Sequence, residues 1–246
     1  MTQEPKLLLR TLTGSRIYNL HTEASDWDWR MIQLSPLKWI VSPFRDPTTT
    51  SIVNEGRDDT TWELRHYVKY VAKGNPSMLE AIYSPLEART FCDPIIQVLI
   101  DNRTKLLNNS AILEAHRGYA SSQVKRIACA DRVIGGEQIT TATVDKEQRR
   151  RKAAVAYIRT LYQGASLLRS GDFNTWLETG SELREWLFGV KTGAIELTEE
   201  EFGRHQATAD QEIQEAFDNA PPREVDYDWL EDYLVESYLT GNKSHQ

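Results

Sequence analysis

Four residues near the start of the chain have the types and spacing for phosphate and metal chemistry. They are Gly14-Ser15 and, ten intervening residues later, Asp26 and Asp28. A Gly-Ser turn at the end of a strand lets backbone N–H groups and the hydroxyl come close to a phosphate, because glycine carries no Cβ to hold the ligand off. Asp26 and Asp28 alternate around Trp27, so on a strand both carboxylates point to one face. Two hard oxygen ligands suit Mg²⁺ or Mn²⁺; Mg²⁺ is held by one or two carboxylates together with substrate phosphates. Two such ions could activate an attacking hydroxyl and neutralise charge at an α-phosphate during in-line displacement. Taken singly, the turn reads as an ordinary loop and the acids as solvated side chains. In this order and spacing they read together.

The elements that must position these residues change character near residue 63. Before it, segments 6–12, 31–34 and 38–42 are rich in Trp, Ile, Val and Thr and are punctuated by Pro36, Pro43 and Pro47, which predicts strands. Trp27 and Trp29, alternating with the acids, are expected to face a core behind the sheet. After residue 63, Leu64, Tyr67, Val68 and Val71 recur at helical spacing and stop at Gly74-Asn75-Pro76. Further helices are expected over about 77–83, 92–107, 110–130, 146–169, 174–190, 198–218 and 226–239. Residues 134–143, with Gly135-Gly136 and several Thr, predict a loop, and 131–145 is the best internal boundary. Trp229, Leu230, Tyr233, Leu234 and Tyr238 make an apolar stripe on the last helix, expected to pack onto the body. The pattern is a small α/β head followed by a larger helical body.

Composition narrows the function classes. With 29 Lys+Arg against 36 Asp+Glu the formal charge is −7, which argues against a protein that holds nucleic acid by bulk electrostatics. A local basic groove is still open to Arg149, Arg150, Arg151 and Lys152, a run that otherwise reads as a solvated helix face. No apolar stretch approaches the ~18 residues of a membrane span, and the first residues lack a secretory core, so a cytoplasmic protein is expected. Cys92 and Cys129 read as two reduced thiols. None of His21, His66, His116, His205 and His245 has ligand spacing to another.

Gly14-Ser15-Arg16-Ile17-Tyr18 and Ser25-Asp26-x-Asp28-x-Arg30 resemble the motif of the polymerase-β-type nucleotidyltransferase superfamily. Within it, the likeness is to the branch of bacterial and phage predicted nucleotidyltransferases that includes RNA-ligase-associated members. Trp62-Glu63-Leu64-Arg65-His66-Tyr67, Lys73-Gly74-Asn75-Pro76 and Leu79-Glu80 resemble the branch's next block. Asn102-Arg103, Gly118-Tyr119-Ala120 and Gln123 resemble its helical middle. The stretch from Lys152 to Arg159, Leu167-Leu168, Ser170-Gly171 and the Gly193 turn resemble its last part. A position often occupied by His in that branch is Ala156 here. The resemblance covers about residues 8–240.

That likeness implies an α/β (α+β) nucleotidyltransferase head with a small mixed sheet over residues 1–90. A mainly α-helical domain over 91–246 would close the active-site cleft. It implies a nucleoside monophosphate passed from an NTP, ATP foremost, to an acceptor hydroxyl such as an RNA end, with release of pyrophosphate. Gly14, Ser15 and Arg16 would hold the nucleotide's phosphates, and Asp26 and Asp28 would bind the Mg²⁺ or Mn²⁺ ions. A third carboxylate would come from a neighbouring strand. Asp58, Asp59 and Glu63 are the candidates, and the match to the branch's block favours Asp58. Lys152 and Arg159 lie seven apart, on one helix face, and could reach the triphosphate. Two rival readings are a non-catalytic nucleotide- or RNA-binding sensor on the same fold and a module that binds a separately encoded toxin or ligase.

Overall fold

The computed structural model describes residues 4–54, 57–128 and 146–241. Cys129, His245, the expected loop at 134–143 and the boundary at 131–145 lie outside the described residues. Strand β1 (Lys6–Thr13) ends at Gly14, whose φ of +72° opens a single 3-10 turn over Gly14–Arg16. A loop leads to β2 (Trp27–Leu34), which pairs antiparallel with β1 and sets Thr13 opposite Asp28. Residues 38–42, expected as a strand, fall largely in the short helix α1 (Leu37–Val41). Pro36 precedes it, and the Pro36 carbonyl accepts from the Trp39 N–H at 2.7 Å, so a proline-initiated turn overrides the apolar run.

Strands β3 (Thr49–Asn54) and β4 (Arg57–Glu63) pair antiparallel, and β4 lies parallel to β2. Helix α2 (Leu64–Val71) follows at once, capped by the Glu63 side chain, which accepts from the Arg65 N–H at 2.8 Å. Helix α3 (Pro76–Ile82) starts on an Asn75 cap with proline in its first turn. A four-residue strand, β5 (Arg89–Cys92), pairs with the other side of β1, giving the sheet order β3-β4-β2-β1-β5. Ile32 and Leu34 of β2 are buried in one core with Leu64, Leu79 and Ile96, so α2 and α3 cover that face of the sheet. The tryptophans therefore point the other way. Trp27 is 49% exposed, which corrects the expectation that it faces a core.

The remaining helices are α4 (Pro94–Asp101), α5 (Asn109–Ala128), α6 (Lys146–Ser170), α7 (Glu182–Thr192), α8 (Glu199–Asp218) and α9 (Tyr227–Gly241). The segment expected to begin at 92 waits for Asp93, whose carboxylate caps α4 through the Ile95 N–H at 3.0 Å. That expected at 174 waits for Ser181, which caps α7 just after Gly180 in the left-handed region. Helix α6 runs through the middle of the body, packed by α5, α7 and α8, with Ala154, Ile158, Leu161 and Leu168 fully buried. Strand β5 spans residue 90, and α9 returns to the head, where Tyr233 donates to the Ile95 carbonyl at the start of α4 at 3.2 Å and Tyr238 donates to Glu63 at the end of β4. Among the described residues no helix is long and apolar enough to cross a membrane.

Candidate active site

The end of β1 and the start of β2 meet at the expected residues. Gly14 is required there twice over. Its positive φ is disfavoured for other residues, and a Cβ on it would lie 2.2 Å from Asp28 Oδ2. The Asp28 carboxylate thus presses directly on the Gly14 backbone. One strand over, Asp58 stands opposite Asp28 in the parallel register, so their side chains share a face. Asp59 pairs with Trp29 and takes the other face. Glu63, the remaining candidate, is fully buried at the far end of β4. There it accepts from Tyr238, from the Arg65 N–H and from the Ser35 N–H. The three alternatives for the third acid therefore occupy three different environments, and Asp58 is the one beside Asp28.

Asp26 precedes the first residue of β2 and is exposed. Burial, then the charges of Asp58, Asp26 and Glu80, push the Asp28 carboxyl above the usual range, against the pull of Arg30. Arg30 lies 3.9 Å from Asp58 and donates to Thr60 at 3.4 Å, holding the outer acid. Among the described residues, no three Asp, Glu, His or Cys side chains form a cage able to hold a metal ion by themselves. The donor set nonetheless suits Mg²⁺, which keeps several waters and completes its shell with substrate phosphates rather than with an all-protein cage. The mutual crowding of carboxylates at Asp28 is the electrostatic condition such a cation relieves.

A cleft of about 470 Å³ opens in front of these residues, lined by Gly14, Ser15, Asp26 and Asp28 on one side and by Lys152, Arg159 and Lys191 on the other. Lys152 and Arg159 share a face of α6, as their spacing predicts, and Ala156 lies on the wall between them. The Arg159 guanidinium sits 3.8 Å over the Tyr18 ring and donates to Gln163 Oε1 at 2.9 Å. Arg150 and Arg151 of the cationic run pair with Glu147, at 3.4 and 3.2 Å, leaving exposed Lys152 as the member of that run that reaches the cleft wall.

Arg16 does not line the cleft. Its guanidinium donates to the carbonyls of Ser25 (2.6 Å) and Asp26 (3.1 Å) and lies over the Trp27 ring, so it braces the segment that carries the acids. The Gly14 N–H, expected to face a phosphate, donates to Glu80 Oε1 at 2.6 Å. Burial first, then the nearby charge of the same Glu80, pushes up the pKa of Tyr18, the phenol on which Arg159 rests, so one α3 carboxylate holds the glycine turn and stands near the Tyr18–Arg159 pair.

Sequence reasoning gave no role to Glu80 or Lys191. Glu80 lies in helix α3 between the core residues Leu79 and Ala81, where a carboxylate carries no signal of its own. Lys191 sits near the end of α7, a place where a lysine is ordinary. Only the fold brings its ammonium to the Leu20 carbonyl at 2.7 Å and the Ser25 hydroxyl at 3.4 Å, across from the acids. Burial, together with Lys152, Arg159 and Arg16, pushes its pKa down to about 8. Gly193, left-handed at φ +81°, stops the helix two residues later.

A family model, RlaP, described as the RNA repair pathway DNA polymerase beta family, matches residues 1–236. A search of curated proteins finds no match.

Proposed function

Because the chain belongs to the RNA repair pathway DNA polymerase beta family, we propose that it is a metal-dependent nucleotidyltransferase that moves a nucleoside monophosphate from an NTP, ATP first among them, to an acceptor hydroxyl on RNA, with release of pyrophosphate. The observation that carries this reading is the cleft itself, with Asp26 and Asp28 facing Lys152, Arg159 and Lys191 across a space of nucleotide size. The three cations would take the triphosphate, and the Ser15 hydroxyl would join them. Gly14 contributes closeness to Asp28 more than its own N–H, which Glu80 holds. Asp26, Asp28 and Asp58 would hold Mg²⁺ or Mn²⁺, which when bound neutralises charge at the α-phosphate and acidifies the attacking hydroxyl. Asp58 would orient the acceptor, a role supported by its position beside Asp28 on the neighbouring strand β4.

A second reading, a nucleotide- or RNA-binding adaptor without turnover, draws on Arg30, whose guanidinium sits close enough to Asp58 to compete with a cation. One experiment separates the two. The protein is incubated with α-phosphate-labelled ATP, Mg²⁺ or Mn²⁺ and total RNA, beside a double Asp26→Asn/Asp28→Asn variant. Label entering RNA with the wild type and not with the variant is the expected result. Nucleotide binding without any transfer would leave the adaptor reading in its place.

A further inference from the structure

The face of the sheet turned away from α2 and α3 carries a group of side chains that the cleft does not use. On β2, Trp27 and Trp29 stack with ring centroids 6.5 Å apart and planes 11° from parallel. The Arg16 guanidinium lies 3.8 Å over Trp27, and the Arg10 guanidinium of β1 lies 4.0 Å over Trp29. Phe91 of β5 pairs with Arg10 and is 43% exposed, and Ile52 of β3 pairs with Asp59 and is 61% exposed. Asp59, an acid that shares this face, is itself buried. Flat aromatic and guanidinium surfaces in a row, with cations in excess, complement a polyanion whose bases are free to stack. In a chain of net charge −7 that local excess of arginine over accessible acid runs against the overall balance.

We propose that this open face is a stacking platform for single-stranded RNA and delivers the strand's end to the carboxylates at the start of β2. Trp27 lies between Asp26 and Asp28 in sequence but on the opposite face of β2 from Asp28, so an RNA strand bound there reaches the carboxylates by turning around the start of that strand. A duplex keeps its bases paired and cannot use such a surface, so the platform selects unpaired strands. The proposal rests on the nucleotidyltransferase reading only for the RNA's role as acceptor; the binding itself is independent of it.

The test is a fluorescence-anisotropy titration of the intact protein with a 5′-fluorescein 12-nucleotide single-stranded RNA, in EDTA and without NTP, with tryptophan emission followed in parallel. Binding with quenched tryptophan emission is expected, and the same sequence annealed as a duplex should fail to compete. Trp27→Ala and Phe91→Ala should each weaken binding roughly tenfold, the scale of losing one base–aromatic stack. Arg10→Gln should lower the slope of log K against log salt by about 0.7. Thermal melting identifies any variant that fails to fold, and Phe91→Ala, at an exposed site, keeps the test open if Trp27→Ala does. Failure of the wild type to bind, or binding that survives all three substitutions, overturns the proposal. So does light scattering that shows a dimer dissociated by Phe91→Ala, which would assign the face to a second copy of the chain. RNA binding without label transfer would sink the nucleotidyltransferase reading and leave the platform standing; label transfer without this binding would do the reverse.

Discussion

Strands β2 and β4 run parallel, and carboxylates stand at both ends of the pair. At the far end Glu63 is fully buried and saturated, taking hydrogen bonds from Tyr238 and from the Arg65 and Ser35 amides. At the near end burial raises the pKa of Asp28, and the charges of Asp58, Asp26 and Glu80 raise it further against the pull of Arg30. The first carboxylate closes a helix cap and ties α9 to the sheet. The second is left with unfavourable like-charge neighbours beside a cleft lined by cations. A bound cation would relieve such a cluster, and carboxylates perturbed in this way gather at functional sites. On the proposed function, carboxylates on the same two strands would serve stability at one end and chemistry at the other.

Substitutions at the two ends should separate these roles. The sharpest contrast is between neighbours: Asp58→Asn should lower label transfer by roughly 10²–10³, the scale of losing one preorganised transition-state contact. Asp59→Asn, on the opposite face, should leave transfer within a few-fold of wild type. Gly14→Ala comes next. Its methyl would have to displace the Asp28 carboxylate, and a misplacement of about 1 Å costs about 10² in rate, so turnover should fall about a hundredfold.

Lys191→Met should weaken ATP binding about tenfold, as expected for a hydrogen bond to a charged group. With its pKa lowered to about 8, Lys191 is charged in neutral solution and loses its charge as pH rises through that value. ATP affinity of the wild type, read by calorimetry, should therefore fall between about pH 7 and about pH 9, and fall less in the variant. At the far end, Tyr238→Phe should cost about 1–3 kcal/mol in urea unfolding, because it leaves a buried carboxylate short of a donor. Transfer should be unchanged. A Tyr238→Phe variant that folded normally and lost turnover would erase the distinction between the two ends.

Much of the near end was legible in the sequence, because its residues lie close together in the chain and their period is that of a strand. Gly14-Ser15 and Asp26-x-Asp28 needed only one turn and one hairpin to meet. The candidates for a third acid were legible as Asp58, Asp59 and Glu63, and strand register puts Asp58 opposite Asp28 and Asp59 on the other face. Glu80 and Lys191 were not legible, since their roles arise from helices α3 and α7 docking 66 residues from Gly14 and 171 residues from Leu20. The outward tryptophans were misread for a related reason. Alternation gives two faces, but which one the helices cover is decided by Ile32 and Leu34 farther along the strand. Strands β3 and β5 escaped notice because β5 has only four residues and β3 carries mostly polar ones; both are held by their neighbours more than by their own pattern.

The central claim is that the crowded carboxylates at Asp28 exist for nucleotidyl transfer. It is tested most directly by pyrophosphate release from wild type and Asp28→Asn, side by side, at saturating ATP and RNA with Mg²⁺. The account predicts steady release by the wild type and none by Asp28→Asn, with thermal melting of the variant equal to or above that of the wild type because a like-charge neighbour has been removed. Release at the wild-type rate by a folded Asp28→Asn protein would contradict it.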